Sequence, residues 1–175
     1  MIRRSLLAGA VAMLVVPALA GCEAGLNAPT LQFHQAAFGQ HTVVNEITVS
    51  NAFVLAGPTG SPLPAGSQAG LFLGLYNAGS ADDTLTGVSL PNGGASSVSV
   101  EGGSITIPAN SSVNLTGPTP KLVLNGLSQP LSGGEDITVT LEFQNAGPVK
   151  MDVPVEPQSF YYSDLSQPPS PTPSA

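Results

Sequence analysis

The sequence predicts an all-β protein, a sandwich or barrel of short antiparallel strands, and three observations predict it. Apolar residues recur with a period of two through the middle of the chain, the spacing that places them on one side of a strand. The runs are short and bounded by Gly, Pro, Asn and Asp, which favour turns. Helical periodicity is nearly absent.

Taken in order, Ile47, Val49, Asn51, Phe53 and Leu55 are expected on one side of a first long strand. Leu71, Leu73 and Leu75 are expected on one side of the next, which Asn77-Ala78-Gly79 ends. Further strands are expected over 84–90, 97–101, 104–107, 112–116 and 121–127, with turns rich in Gly and Pro between them. The strongest hairpin signal closes the series. Ile137, Val139, Leu141 and Phe143 alternate, Asn145-Ala146-Gly147-Pro148 turns, and Val149, Met151, Val153 and Val155 alternate back. Two stacked sheets would share the resulting core.

The start of the chain has a different character. Met1-Ile2-Arg3-Arg4 is basic, residues 5–20 are apolar, and Leu19-Ala20-Gly21 places small residues ahead of Cys22. This is the layout of an export signal, and it looks like a bacterial lipobox. That likeness implies cleavage between Gly21 and Cys22, a diacylglycerol on the Cys22 thiol, and acylation of the new amine. Two or more acyl chains, at about 0.8 kcal/mol per buried methylene, hold a protein stably. The apolar stretch, flanked by Pro17 and Gly21, falls short of the roughly 20 residues that span a bilayer. The expected location is the outer face of the bacterial cytoplasmic membrane or the cell envelope, with the membrane engaged through lipid on Cys22.

Composition then divides the chain into a signal peptide (1–21), a lipidated tether (22–45), a β-sandwich domain (46–157) and a disordered Pro/Ser-rich tail (158–175). Loss of the leader removes Arg3 and Arg4 and moves the formal charge from -7 to -9, with only Lys121 and Lys150 as cations. Nucleic acid is excluded as a partner, because its binding draws on clustered Lys and Arg. Cys22 is the only cysteine, so no disulfide supports the domain.

Candidate chemistry is sparse. Residues 46–157 hold no His, no Cys and one Met, Met151, which shares a strand side with valines and is expected to fill the core. His34 and His41, in the tether, are the remaining candidate metal ligands. Asp82-Asp83 and Glu135-Asp136 pair carboxylates at turns without an oxygen-rich loop, and are expected to be solvated turn acids rather than calcium ligands. Gly93-Gly94, Gly102-Gly103 and Gly133-Gly134 lack the lysine and helix start of a phosphate loop and are expected to be turns. The sequons at Asn110 and Asn114 are expected to be surface strand and turn. With no His or Cys to act as base or nucleophile, no enzyme is expected.

Four stretches, in order, resemble the periplasmic copper chaperones of the PCu(A)C type: Val49-Ser50-Asn51-Ala52-Phe53-Val54; Tyr76-Asn77-Ala78-Gly79 with Asp83-Thr84-Leu85-Thr86-Gly87-Val88; Ile107-Pro108-Ala109; and the run from Leu122 to Gly133. The closing hairpin continues the likeness, and degenerate members of the LpqE-like lipoprotein type are most similar. The resemblance covers approximately Ile47 to Val155 and implies a cupredoxin-like, Ig-like antiparallel β-sandwich with Greek-key connections. It also implies a copper site of two His and two Met. The His-x-Met pair would fall at Lys121 and Val123, the upstream His near Glu101, and its Met in a shortened loop. None is retained, and neither a protonated lysine nor a valine can donate an electron pair to Cu(I). The resulting expectation is a membrane-anchored, non-catalytic binding or interaction module without a resident cofactor, whose partner is an envelope protein or a small ligand. The alternative is a copper-binding or copper-transfer protein with a site rebuilt from His34 and His41 or from a partner's ligands.

Overall fold

The computed structural model describes residues 39–168. Along them run β1 (Gln40–Val44), β2 (Ile47–Leu55), β3 (Ala69–Asn77), β4 (Asp83–Ser89), β5 (Ala95–Val100), β6 (Ile105–Ile107), β7 (Ser111–Asn114), β8 (Leu122–Leu127), β9 (Asp136–Phe143) and β10 (Gly147–Glu156). The expected signal peptide, Cys22, His34, most of the expected tether and residues 169–175 lie outside the described residues.

The strands form two sheets packed face to face. In the first, the order β5, β8, β3, β2, β1 is antiparallel throughout, and β7 joins the same edge of β3 as β8, further along the strand. The second has the order β10, β9, β4, β6. The two meet at one corner, where Val155 and Glu156 of β10 run parallel to Val54 and Leu55 of β2. The chain crosses between the sheets after β3, β4, β5, β6 and β8, which is the sandwich the alternating pattern predicts.

The closing hairpin forms as expected, with Phe143 opposite Gly147 and Asp136 opposite Pro154. Its inward residues Val139, Leu141, Phe143, Val149, Met151, Val153 and Val155 pack with Leu71, Leu73 and Leu75 of β3 and Leu122 and Leu124 of β8. Each fully buried aliphatic side chain contributes roughly 1.5–3 kcal/mol relative to exposure. That core holds the domain without a disulfide.

β2 departs from the predicted alternation. Ile47 and Val49 face the core, but Asn51 is exposed, and the register against β3 shifts between Ser50 and Phe53. Asn51 adopts φ 51°, a left-handed conformation that Asn tolerates because its short amide bonds locally. The bulge moves the alternation by one residue. Ala52 and Val54 therefore enter the core, while Phe53 and Leu55 turn to the outer side of the sheet. Gly39 closes against this bulge: a Cβ there would stand 2.5 Å from the carbonyl carbon of Asn51.

Strand pairing and packing extend beyond 46–157 at both ends. β1 begins at Gln40 and pairs with β2, because Val44 still has an apolar side to bury. After β10, residues 158–168 fold back as a strap across the outer side of β2 and β3. Tyr162 and Leu165 cover Phe53, Leu55 and Phe72, which the bulge and the β3 alternation leave facing out. Phe53 stacks on Phe72 with ring centroids 5.2 Å apart and meets Tyr162 at 4.6 Å. The strap is tied by Gln158 N to Gly57 O at 3.1 Å, Ser166 N to Pro118 O at 2.7 Å and Gln167 Nε2 to Ala56 O at 2.7 Å. Its first residues are thus packed where a disordered tail was expected, since the outward aromatics need a cover that composition does not reveal.

Candidate functional site

On β8, Leu122 and Leu124 are buried in the core, so Lys121, Val123 and Asn125 project from the outer side. β5 lies alongside, with Ser99 opposite Val123 and Ser97 opposite Asn125. Just past the end of β5, Glu101 N donates to Lys121 O at 2.8 Å, which sets the two residues side by side. Lys121 Nζ stands 3.7 Å from Glu101 Oε2, with the side chains 52% and 68% exposed. Further along, Asn125 Nδ2 donates to Ser99 Oγ at 2.8 Å, and Asn125 Oδ1 accepts from Gln68 Nε2 at 2.6 Å.

The structure therefore sets Lys121 and Val123, where the resemblance places the His-x-Met pair, beside Glu101, near which it places the upstream His. They supply an ammonium, a carboxylate and an isopropyl group, flanked by hydroxyls and an amide. Cu(I) takes thioether, thiolate and imidazole donors, so these residues do not fit it.

His41 is elsewhere. It is exposed on β1, the strand at the opposite edge of the same sheet from β5. Four strand spacings of about 4.8 Å separate those edges, roughly 19 Å. Among the described residues, no group of three or more His, Cys, Asp or Glu is placed to hold a metal ion. Met151 is buried in the core.

The acidic turn residues serve the backbone. Asp83, 5% exposed, accepts from the N–H groups of Thr84 at 2.7 Å, Asn145 at 2.9 Å and Ala146 at 2.9 Å. Burial raises its pKa, but the N–H groups of Asn145, Thr84, Ala146 and Gln144 outweigh burial and hold it below the usual carboxylate value. Asp82 Oδ1 accepts from Ala109 N at 2.9 Å. This carboxylate pair thus clamps the β9–β10 turn and the β6–β7 turn to the start of β4. Glu135 and Asp136 are exposed at the start of β9. Gly102 and Gly103, with φ 74° and 84°, make the turn between β5 and β6. Asn110 occupies the turn before β7, and Asn114 ends that strand.

The sequence reading missed the strap and its tip. Phe160 and Tyr161 are 88% and 80% exposed, while their neighbour Tyr162 packs inward. The run Phe160-Tyr161-Tyr162 was the available signal, set in a segment whose prolines and serines suggested disorder.

The LpqE-like lipoprotein family model matches residues 47–155. The copper-bound PCuAC domain from PmoF2 is 24% identical, with a TM-score of 0.57, covering 67% of this chain and 98% of that one. The apo PCuAC domain from PmoF1 is 19% identical with a TM-score of 0.59, and covers 67% of this chain and 99% of its own. The apo PmoF2 PCuAC domain is 22% identical with a TM-score of 0.58, and covers 69% and 98%. At these identities the likeness shows the fold. No curated protein matches the chain.

Proposed function

Because the chain belongs to the LpqE-like lipoprotein family, we propose that it is a lipid-anchored extracytoplasmic module in which a copper-chaperone-like domain binds a partner rather than copper. The observation that carries this reading is the Lys121–Glu101 ion pair, set where the resemblance places imidazoles. An ammonium offers no lone pair, so the position supplies no donor to a metal. Binding without catalysis is supported by the lack of any His or Cys in residues 46–157. Attachment through Cys22 is supported by the lipobox-like Leu19-Ala20-Gly21-Cys22 and by the family's lipoprotein character.

The reading is tested by rebuilding the site. The triple variant E101H/K121H/V123M restores three soft donors on adjacent strands. It is expected to hold Cu(I) at least about 100-fold more tightly than the parent, since three such donors match the ion's preference. Equal, tight Cu(I) binding by the parent would overturn the reading.

A further inference from the structure

Charge is segregated between the two sheets. Strands β1, β2, β3, β5, β7 and β8 contain no Asp, Glu, Lys or Arg. The other sheet carries Asp83, Asp136, Glu142, Lys150, Asp152 and Glu156. In a protein this acidic, the outer side of the first sheet presents hydroxyls, amides and apolar groups, with Lys121 and Glu101 neutralising each other at its rim.

The exposed large hydrophobic residues lie on that same side, toward its two ends. Among the described residues they are Val43, Tyr76, Phe160 and Tyr161, exposed by 58%, 41%, 88% and 80%. Val43 pairs with Thr48, and Thr48 with Tyr76, so these three project together. Phe160 and Tyr161 stand on the strap, which lies over the same side through Phe53 and Phe72. Phe160 holds φ 50°, a left-handed conformation that costs a residue with a Cβ about 1–2 kcal/mol. A strained backbone that keeps a phenyl ring in water is the arrangement of a contact residue, not of a core residue.

We propose that this side of the domain seats on the interfacial region of the lipid bilayer, with Phe160, Tyr161, Tyr76 and Val43 as the contact residues. The inference rests on the lipid-anchored reading given above. The chain enters the domain at Gly39 and Gln40, on an edge strand of the same sheet. From Cys22 to Gly39 the chain spans at most about 60 Å, at roughly 3.5 Å per residue. An anchored domain therefore stays close to the surface, and at such effective concentrations a weak contact suffices. Tyr and Phe favour the headgroup boundary, where one end of the side chain is wet and the other apolar. Turning the uncharged sheet inward also points Glu142 and Asp152, on the outer side of the second sheet, away from anionic headgroups; Glu156, beside Tyr162, and Asp164 are the carboxylates near the strap.

The test uses the full lipidated protein in phosphatidylcholine vesicles. The chain has no Trp, so each introduced Trp reports alone. Tyr161→Trp and Val43→Trp probe the proposed side, and Thr140→Trp probes the opposite sheet. Brominated lipid is expected to quench the first two several-fold more than the third, with a blue shift in their emission. Adding Phe160→Ala to Val43→Trp is expected to weaken the quenching. Equal, low quenching at all three sites would overturn the proposal. So would a blue shift without lipid quenching, which would assign the surface to a protein partner or a second copy. Mass spectrometry of the Cys22 peptide separates the two readings. An unlipidated Cys22 defeats the anchor itself, whereas a lipidated Cys22 with unquenched Trp defeats only the membrane contact.

Discussion

Lys121 and Glu101 are joined twice, by a backbone hydrogen bond of 2.8 Å and by a side-chain ion pair of 3.7 Å. The first belongs to the β5–β8 ladder and is independent of side-chain identity. The second is exposed on both sides, where screening and side-chain entropy leave such pairs about 0–1 kcal/mol. Lys121→Ala is therefore expected to change unfolding free energy by less than about 1 kcal/mol in urea denaturation. A larger loss would mean that the pair is a structural element and not a feature of the surface.

Asp83 is the opposite case. Its carboxylate satisfies three backbone N–H groups that would otherwise be buried without partners, so Asp83→Ala is expected to cost roughly 2–4 kcal/mol. Because its folded pKa lies below the ordinary 3.8, its contribution is present above that value and is lost as pH falls through the lower, folded value. Acid titration of stability is expected to show this loss in the parent and a shallower acid limb in the variant.

Tyr162 sets an alkaline limit on the strap. Burial, with the nearby Glu156 carboxylate adding to it, pushes its phenol up to about 12. A raised folded pKa favours the protonated form, so the strap's contribution is intact below about 10 and declines as pH rises from there through about 12. A late tyrosine step at about 12 is expected in ultraviolet titration. Tyr162→Phe is expected to remove that late step while keeping the ring contact with Phe53.

The bulge at Asn51 predicts a graded response. Asn51→Gly preserves the left-handed conformation and is expected to be nearly neutral, whereas Asn51→Val is expected to destabilise by about 1–2 kcal/mol. Gly39→Ala is expected to loosen β1, because its Cβ would meet the Asn51 backbone at 2.5 Å. Hydrogen exchange at Thr42 and Val44 would report that loosening.

Much of the sandwich was legible because strands with one buried side write their period into the sequence. The β9–β10 hairpin and the inward leucines of β3 are where the alternation places them. β2 was legible only as far as Val49, since nothing in the alternation distinguishes Asn51 as a bulge from Asn51 as a strand residue. The strap was hidden for a related reason. Its cover of Phe53 and Phe72 follows from which way those rings point: Phe72 faces out by the β3 alternation, but Phe53 does so only because of the bulge. At the candidate site, the scarcity of soft donors could be read from composition, while the meeting of Lys121 with Glu101 required the pairing of β5 with β8. The charge segregation was present in the sequence but acquired meaning only once the uncharged strands formed one sheet.

The most direct test of the account is a competition titration of Cu(I) against a chelator of known affinity, using the soluble form that begins at Glu23. The account predicts no stoichiometric uptake, because Lys121, Val123 and Glu101 offer no soft donor and His41 lies across the sheet from them. Tight uptake of one Cu(I) per chain, abolished in the variant carrying His34→Ala and His41→Ala, would contradict it and restore the protein to copper carriage.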